Sequence, residues 1–123
     1  MLRVMVADDV PVNADSMCDL LALLGHDARA FYESGTLLAA VADFRPHVIL
    51  LDIGMPTVDG YETCRLLRLR PDTRTTVIIA LTGWGGRETE EAAHRAGFDR
   101  HLLKPVDLGE LTATLAAIEQ TVM

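Results

Sequence analysis

What this chain of 123 residues lacks narrows its function before any motif is read. No apolar run approaches the roughly 18 residues of a membrane span, and Met1 leads straight into strand-like sequence with no leader pattern. A soluble, cytoplasmic protein with no membrane partner is expected. Cysteine is scarce, and Cys18 and Cys64 lie inside helix-like segments with no CxxC spacing, so both read as small core residues, not as a disulfide or a zinc site. Basic residues are few and scattered against a formal net charge of −7, which argues against a nucleic-acid or anionic-membrane surface. The densest basic group, Arg65, Arg68 and Arg70, is followed by Asp72 and reads as a solvated helix face. Neither a G-x-G-x-x-G fingerprint nor a P-loop is present; Gly83-Trp84-Gly85-Gly86 reads as a mobile loop that leaves Thr82 free to reorient. There is no linker, repeat or low-complexity tract, so a single domain over residues 1–123 is expected.

What is present is a set of short aliphatic strands that end in polar residues. Val48 to Leu51 is too short for a helix and reads as a strand buried on both faces, ending in Asp52 before Gly54 and Pro56 stop it. Leu2 to Ala7 ends in Asp8-Asp9, Thr76 to Leu81 in Thr82, and Asp99 to Leu103 in Lys104-Pro105. A weaker strand spans Ala28 to Tyr32. Helices alternate with these strands. Pro11 suits a first helical turn, with Met17, Leu20, Leu21 and Leu24 as the buried face; Leu37, Leu38, Val41 and Ala42 mark the second helix. Asp59-Gly60 precedes a third, whose face is Tyr61, Cys64 and Leu67 and which ends near Pro71. Small Ala92, Ala93 and Ala96 mark a fourth, stopped by Gly97. Asp107 and Glu110 form a capping-box-like start for a fifth, which carries Leu108, Leu111, Leu115 and Ile118 inward. Five strands alternating with five helices over short connections predict an α/β fold with a doubly wound parallel sheet.

In such a sheet every strand's carboxyl end lies on one edge, so topology alone gathers Asp8, Asp9, Asp52, Thr82 and Lys104. Each has an ordinary alternative: helix capping for Asp8 or Asp9, a turn for Asp52, a strand-end hydrogen bond for Thr82, a solvated side chain for Lys104. Together they form a crevice in which three carboxylates repel one another until a cation neutralises them. Oxygen-only donors favour Mg²⁺ over zinc. Lys104 offers a point charge to a phosphate and Thr82 a hydroxyl donor, which leaves the central Asp52 as a nucleophile able to form an acyl phosphate.

These residues, Val6-Ala7-Asp8-Asp9, Leu51-Asp52-Ile53-Gly54-Met55-Pro56 with Asp59-Gly60, Ala80-Leu81-Thr82-Gly83 and Leu103-Lys104-Pro105, resemble the CheY-like receiver domain of bacterial two-component response regulators over essentially the whole chain. The resemblance implies a flavodoxin-like strand order of 2-1-3-4-5. It implies that Asp52 accepts a phosphoryl group from a histidine kinase or histidine phosphotransfer protein. Asp9, Asp52 and the backbone carbonyl of Gly54 would hold Mg²⁺, and Asp8 would reach it through water. Thr82 and Lys104 would bind the phosphoryl oxygens, and a downstream partner would read the change of shape. The chain would be no enzyme beyond its own phosphoryl transfer.

The Leu81 to Gly85 loop and the Gly97 to His101 run are most similar to receivers attached to hybrid sensor kinases. His101 stands where the family often places the Tyr or Phe that turns inward with Thr82; a histidine there either packs inward or is solvated. Gly54 and Trp84, two places after Asp52 and Thr82, offer no base for an attacking water, so slow loss of phosphate is expected. A pseudo-receiver acting only as a docking module is the rival reading, and it would have no need of the acidic set or Lys104. A dehalogenase-type phosphatase would need a second Asp where Gly54 stands, and an FMN carrier a Ser/Thr-rich first loop.

Overall fold

The computed structural model describes residues 1–54 and 59–122. Its elements run β1 (Arg3–Ala7), α1 (Pro11–Leu23), β2 (Asp27–Phe31), α2 (Ser34–Phe44), β3 (Val48–Asp52), α3 (Gly60–Arg68), β4 (Val77–Thr82), α4 (Arg87–Ala96), β5 (Arg100–Leu103) and α5 (Leu108–Val122). A 3₁₀ turn over Pro71–Thr73, which the sequence pattern does not announce, joins α3 to β4. The strands form one parallel sheet, as the sequence pattern predicts, in the order β2-β1-β3-β4-β5 that the family resemblance implies. The expected Met55-Pro56 turn lies outside the described residues.

The continuous aliphatic runs are explained by what covers the sheet. Alternate side chains of a strand point to opposite faces, and here both faces are roofed by helices, so both sets must be apolar. Met5, Ala7, Ile49, Leu51, Ile78 and Ala80 pack beneath α2, α3 and α4. Val4, Val6, Val48, Leu50, Ile79 and Leu81 pack beneath α1 and α5. The central β3 is buried along its whole length, whereas the edge strands β2 and β5 are only partly covered.

Several inward faces differ from the sequence pattern. In α2 the buried stripe is Ser34, Leu37, Val41 and Phe44, and Ala42 is exposed because it lies about 100° round the helix from Val41. In α1 Ala14 and Leu21 are fully buried while Met17, Leu20 and Leu24 are half-covered. Leu108, the first residue of α5, is 51% exposed; the inward stripe begins one turn later at Leu111.

Arg68 is not part of a solvated face. Its guanidinium donates to the carbonyls of Gly97 (2.9 Å), Thr73 (3.1 Å) and Thr76 (2.9 Å) and pairs with Asp99 at 2.5 Å, while Asp99 also accepts the amide of Ile78 at 2.9 Å. One side chain thereby ties the end of α3 to the starts of β4 and β5. Gly97 is required at this junction: its φ is +110°, and a Cβ there would stand 2.7 Å from Arg68 Cγ.

Candidate functional site

The sheet's carboxyl edge does gather the residues that the sequence nominates. Asp52 closes β3 with its side chain 13% exposed, and its Oδ1 accepts the amide of Gly54 at 3.0 Å. The third helix begins immediately behind it. Asp59 caps α3 by accepting the amide of Glu62 at 2.8 Å, and Gly60 packs so closely that a Cβ would lie 2.7 Å from the carbonyl oxygen of Asp52. Gly60 thus matters because only a glycine lets α3 start against the end of β3, a role that its sequence neighbourhood marks merely as a turn.

Asp8 is almost wholly buried, and its Oδ1 accepts the amide of Val10 at 3.0 Å, so the ordinary turn-organising role is present as well. Asp9 is exposed. Asp8, Asp9 and Asp52 each offer an oxygen within 4.8 Å of the others, which is the acidic cluster that a metal ion would need. Hard oxygen donors alone, with no imidazole or thiolate among them, suit a divalent cation of the Mg²⁺ class.

Lys104 occupies the crevice in a way that strand-end reasoning does not foresee. Its Nζ lies 3.0 Å from Asp8 Oδ2 and 3.2 Å from Asp52 Oδ2, bridging two of the three carboxylates. Partial burial is the largest single influence on its ammonium and pulls the pKa down. The hydrogen bond to Asp8 and the charges of Asp52 and Asp8 outweigh it, holding Lys104 above the ordinary lysine value. The ammonium is a stand-in cation for a cluster with more negative charge than one lysine can neutralise. The Lys104-Pro105 peptide bond is cis.

Thr82 ends β4 and is buried, but its hydroxyl is not idle. Its Oγ accepts the Trp84 amide at 3.0 Å and donates to the Trp84 carbonyl at 3.1 Å, so the loop holds Thr82 rather than leaving it free. A cavity of about 310 Å³ opens between Asp52, Gly54, Tyr61, Thr82, Trp84 and Thr89. Trp84 itself is 80% exposed. His101 neither packs fully inward nor stands free: it is partly covered, and its Nε2 lies 3.2 Å from Glu90 Oε1 on α4.

The chain matches the response regulator receiver domain over residues 4–116. It belongs to the response regulator receiver family. This receiver is 33% identical to the protein PilG of Pseudomonas aeruginosa over 116 residues, 94% of this chain and 86% of that one. It is 31% identical to the response regulator PleD of Caulobacter vibrioides over 105 residues, which are 85% of this chain but only 23% of PleD. A crystal structure of a response regulator from Chloroflexus aurantiacus superposes with a TM-score of 0.88 at 26% identity, covering 95% of this chain and 96% of that one. The chemotaxis response regulator CheY4 of Vibrio cholerae has the same fold, with a TM-score of 0.89 at 24% identity over 96% and 98% of the two chains. The receiver is therefore a phospho-accepting switch of two-component signalling, of a family whose members interact with histidine kinases or phosphotransfer proteins. Among the described residues, no helix is long and apolar enough to cross a membrane.

Proposed function

We propose that this receiver takes a phosphoryl group onto Asp52 from the phosphohistidine of a histidine kinase or histidine phosphotransfer protein, and that a downstream protein reads the resulting change of shape. The observation that carries the residue assignment is the position of Asp52, which alone among the three carboxylates both touches Lys104 and opens into the cavity shared with Thr82. A carboxylate oxygen of Asp52 attacks phosphorus, the bond from phosphorus to the donor's imidazole nitrogen breaks, and that nitrogen keeps the electron pair. Asp9, Asp52 and the Gly54 carbonyl, with Asp8 acting through water, would hold Mg²⁺, which when bound would supply the positive charge that lets an anionic carboxylate meet an anionic phosphoryl group.

Lys104 gives up its contact with Asp52 and follows the charge onto a phosphoryl oxygen. Thr82 exchanges its two bonds to the Trp84 backbone for one to another phosphoryl oxygen, which draws the β4–α4 loop inward. The Glu90–His101 contact lies between α4 and β5, where that movement is felt, and makes His101 the candidate switch side chain. The reading carries with it a cytoplasmic location and no turnover of a separate substrate.

The test is intact mass after incubation with Mg²⁺ and a small acyl-phosphate donor. A single phosphoryl adduct is expected, absent in Asp52→Asn and absent with chelator. An adduct that persists in Asp52→Asn would move the acceptor elsewhere. No adduct from this donor or from phosphorylated histidine proteins would leave a docking module. Following the adduct after donor removal tests the second expectation: neither Gly54 nor Trp84 can orient a water, so decay takes minutes or longer. A half-life of seconds would contradict it.

A further inference from the structure

We propose a second anion site, for an organic phosphate, at the amino edge of the sheet, the end opposite Asp52. A cavity of about 590 Å³ opens there, lined by Arg3, Arg45, Pro46, His47, Asp72 and Thr75 among others. Its size falls in the range of small-molecule sites, roughly 300–1,000 Å³, and is far larger than a phosphate ion needs. The lining is rich in donors. Arg3 is fixed in place by its Nε, which donates to the carbonyls of Phe44 at 3.1 Å and Arg45 at 2.8 Å, leaving its terminal nitrogens for a ligand. Among the described residues, no carboxylate pairs with Arg3 or Arg45.

The one acid in the lining, Asp72, is already engaged by Arg70 through two bonds of 2.9 and 2.8 Å. His47 accepts the Arg3 amide on Nδ1 at 2.9 Å, which leaves its proton on Nε2 as a third donor. Burial first, and the neighbouring Arg3 charge second, hold its pKa below the ordinary histidine value, so the ring keeps that tautomer. Two arginines without a carboxylate partner among the described residues line one cavity, in a chain of net charge −7, an uneven placement of scarce positive charge. Guanidinium forks bind phosphate oxygens in pairs, the phosphate's double charge matches two arginines, and Pro46 and Val122 wall the remaining volume for an organic body.

The backbone supplies an independent observation. Arg45 closes α2 with φ +53° and ψ 64°, and it is the only non-glycine residue at positive φ among those described. This is the position where a helix usually places glycine, and an L side chain there is strained. The local fold would be better served by glycine; the guanidinium is what the strain retains.

The experiment is a titration of the whole chain with adenosine 5′-monophosphate, without Mg²⁺, followed by amide and histidine-ring NMR signals. Saturable shifts are expected at Arg3, Arg45, His47 and Thr75, with inorganic phosphate needing at least about tenfold higher concentration to move the same signals. Arg45→Gly is expected to raise the melting temperature while weakening the nucleotide at least about tenfold, so that lost binding cannot be blamed on unfolding. Asp52→Asn is expected to bind as the parent does, which separates this site from the phosphoryl acceptor. Absence of saturation, undiminished binding by Arg45→Gly, or shifts centred on Asp8, Asp52 and Lys104 would each overturn the proposal.

Discussion

Lys104 shows how one residue serves two states of the pocket. Its ammonium lies between Asp8 and Asp52, so a divalent cation entering the acidic cluster competes with it for the same oxygens. Lys104→Met is accordingly expected to bind Mg²⁺ more tightly than the parent, while forming the phosphoryl adduct more slowly for want of a charge on the incoming group. Titration of Trp84 fluorescence with Mg²⁺ checks the first half, and adduct formation by mass the second; weaker Mg²⁺ binding would show that Lys104 organises the carboxylates instead of competing. The pH dependence has a definite sign. A lysine whose folded pKa is raised stabilises the fold fully below the unfolded value, about 10.4, and loses that contribution only as pH climbs past it through the folded value. The difference in melting temperature between the parent and Lys104→Met should hold from neutral pH to about that point and change only above it. Thr82 makes the complementary case. Because its hydroxyl already holds both backbone groups of Trp84, Thr82→Ala is expected to accept phosphate at Asp52 yet show no phosphorylation-dependent change in Trp84 fluorescence, whereas Thr82→Ser keeps it. An unchanged response in Thr82→Ala would remove Thr82 from the switch.

At the scale of elements, the ends that build the site and the ends that build the scaffold are held differently. At the carboxyl edge α3 is seated against β3 by the absence of a side chain at Gly60 and by the Asp59 cap. At the amino edge the same helix is pinned by Arg68, whose ion pair with half-exposed Asp99 contributes less than its three bonds to carbonyl oxygens. Removing those donors leaves partly buried carbonyls without partners. Arg68→Ala should therefore cost about 2–3 kcal/mol by chemical denaturation, and Arg68→Lys should recover little of it, since a single ammonium cannot reach three acceptors in a plane. A loss under about 0.5 kcal/mol would mean that water replaces the guanidinium. The covering differs along the sheet in the same way: β3, flanked by β1 and β4, is buried along its whole length and ends in Asp52, whose side chain is nearly enclosed.

For the molecule as a whole, the switch must be shared. A charge-assisted hydrogen bond from Thr82 contributes roughly 1.5–3 kcal/mol, and it replaces two bonds that already exist, whereas moving a population from 1:99 to 99:1 takes about 5.5 kcal/mol. In the proposed switch the remainder would come from Lys104, from the backbone donors beside Gly83, and from α4 and β5 moving together. The packing permits this. The α4 face that meets the core is made of small Ala93 and Ala96, and β5 is a partly covered edge strand, so their displacement uncovers less apolar surface than any shift of β3 would.

The sequence by itself determined the layers and the chemistry. Aliphatic runs with polar last residues dictate a parallel sheet buried on both faces, and a parallel sheet dictates that Asp8, Asp9, Asp52, Thr82 and Lys104 share an edge, because both follow from periodicity and chain direction alone. Only the tertiary structure decided who touches whom across that edge. Lys104 bridges Asp8 from 96 positions away, Thr82 is tied to Trp84, His101 meets Glu90, and Arg68 leaves the surface to clamp three carbonyls. None of these contacts leaves a periodic trace, since each depends on where a long polar side chain ends and not on where its backbone begins. The strain at Arg45 is of the same kind: an arginine after a helix reads as solvated charge until the backbone shows it standing where glycine belongs.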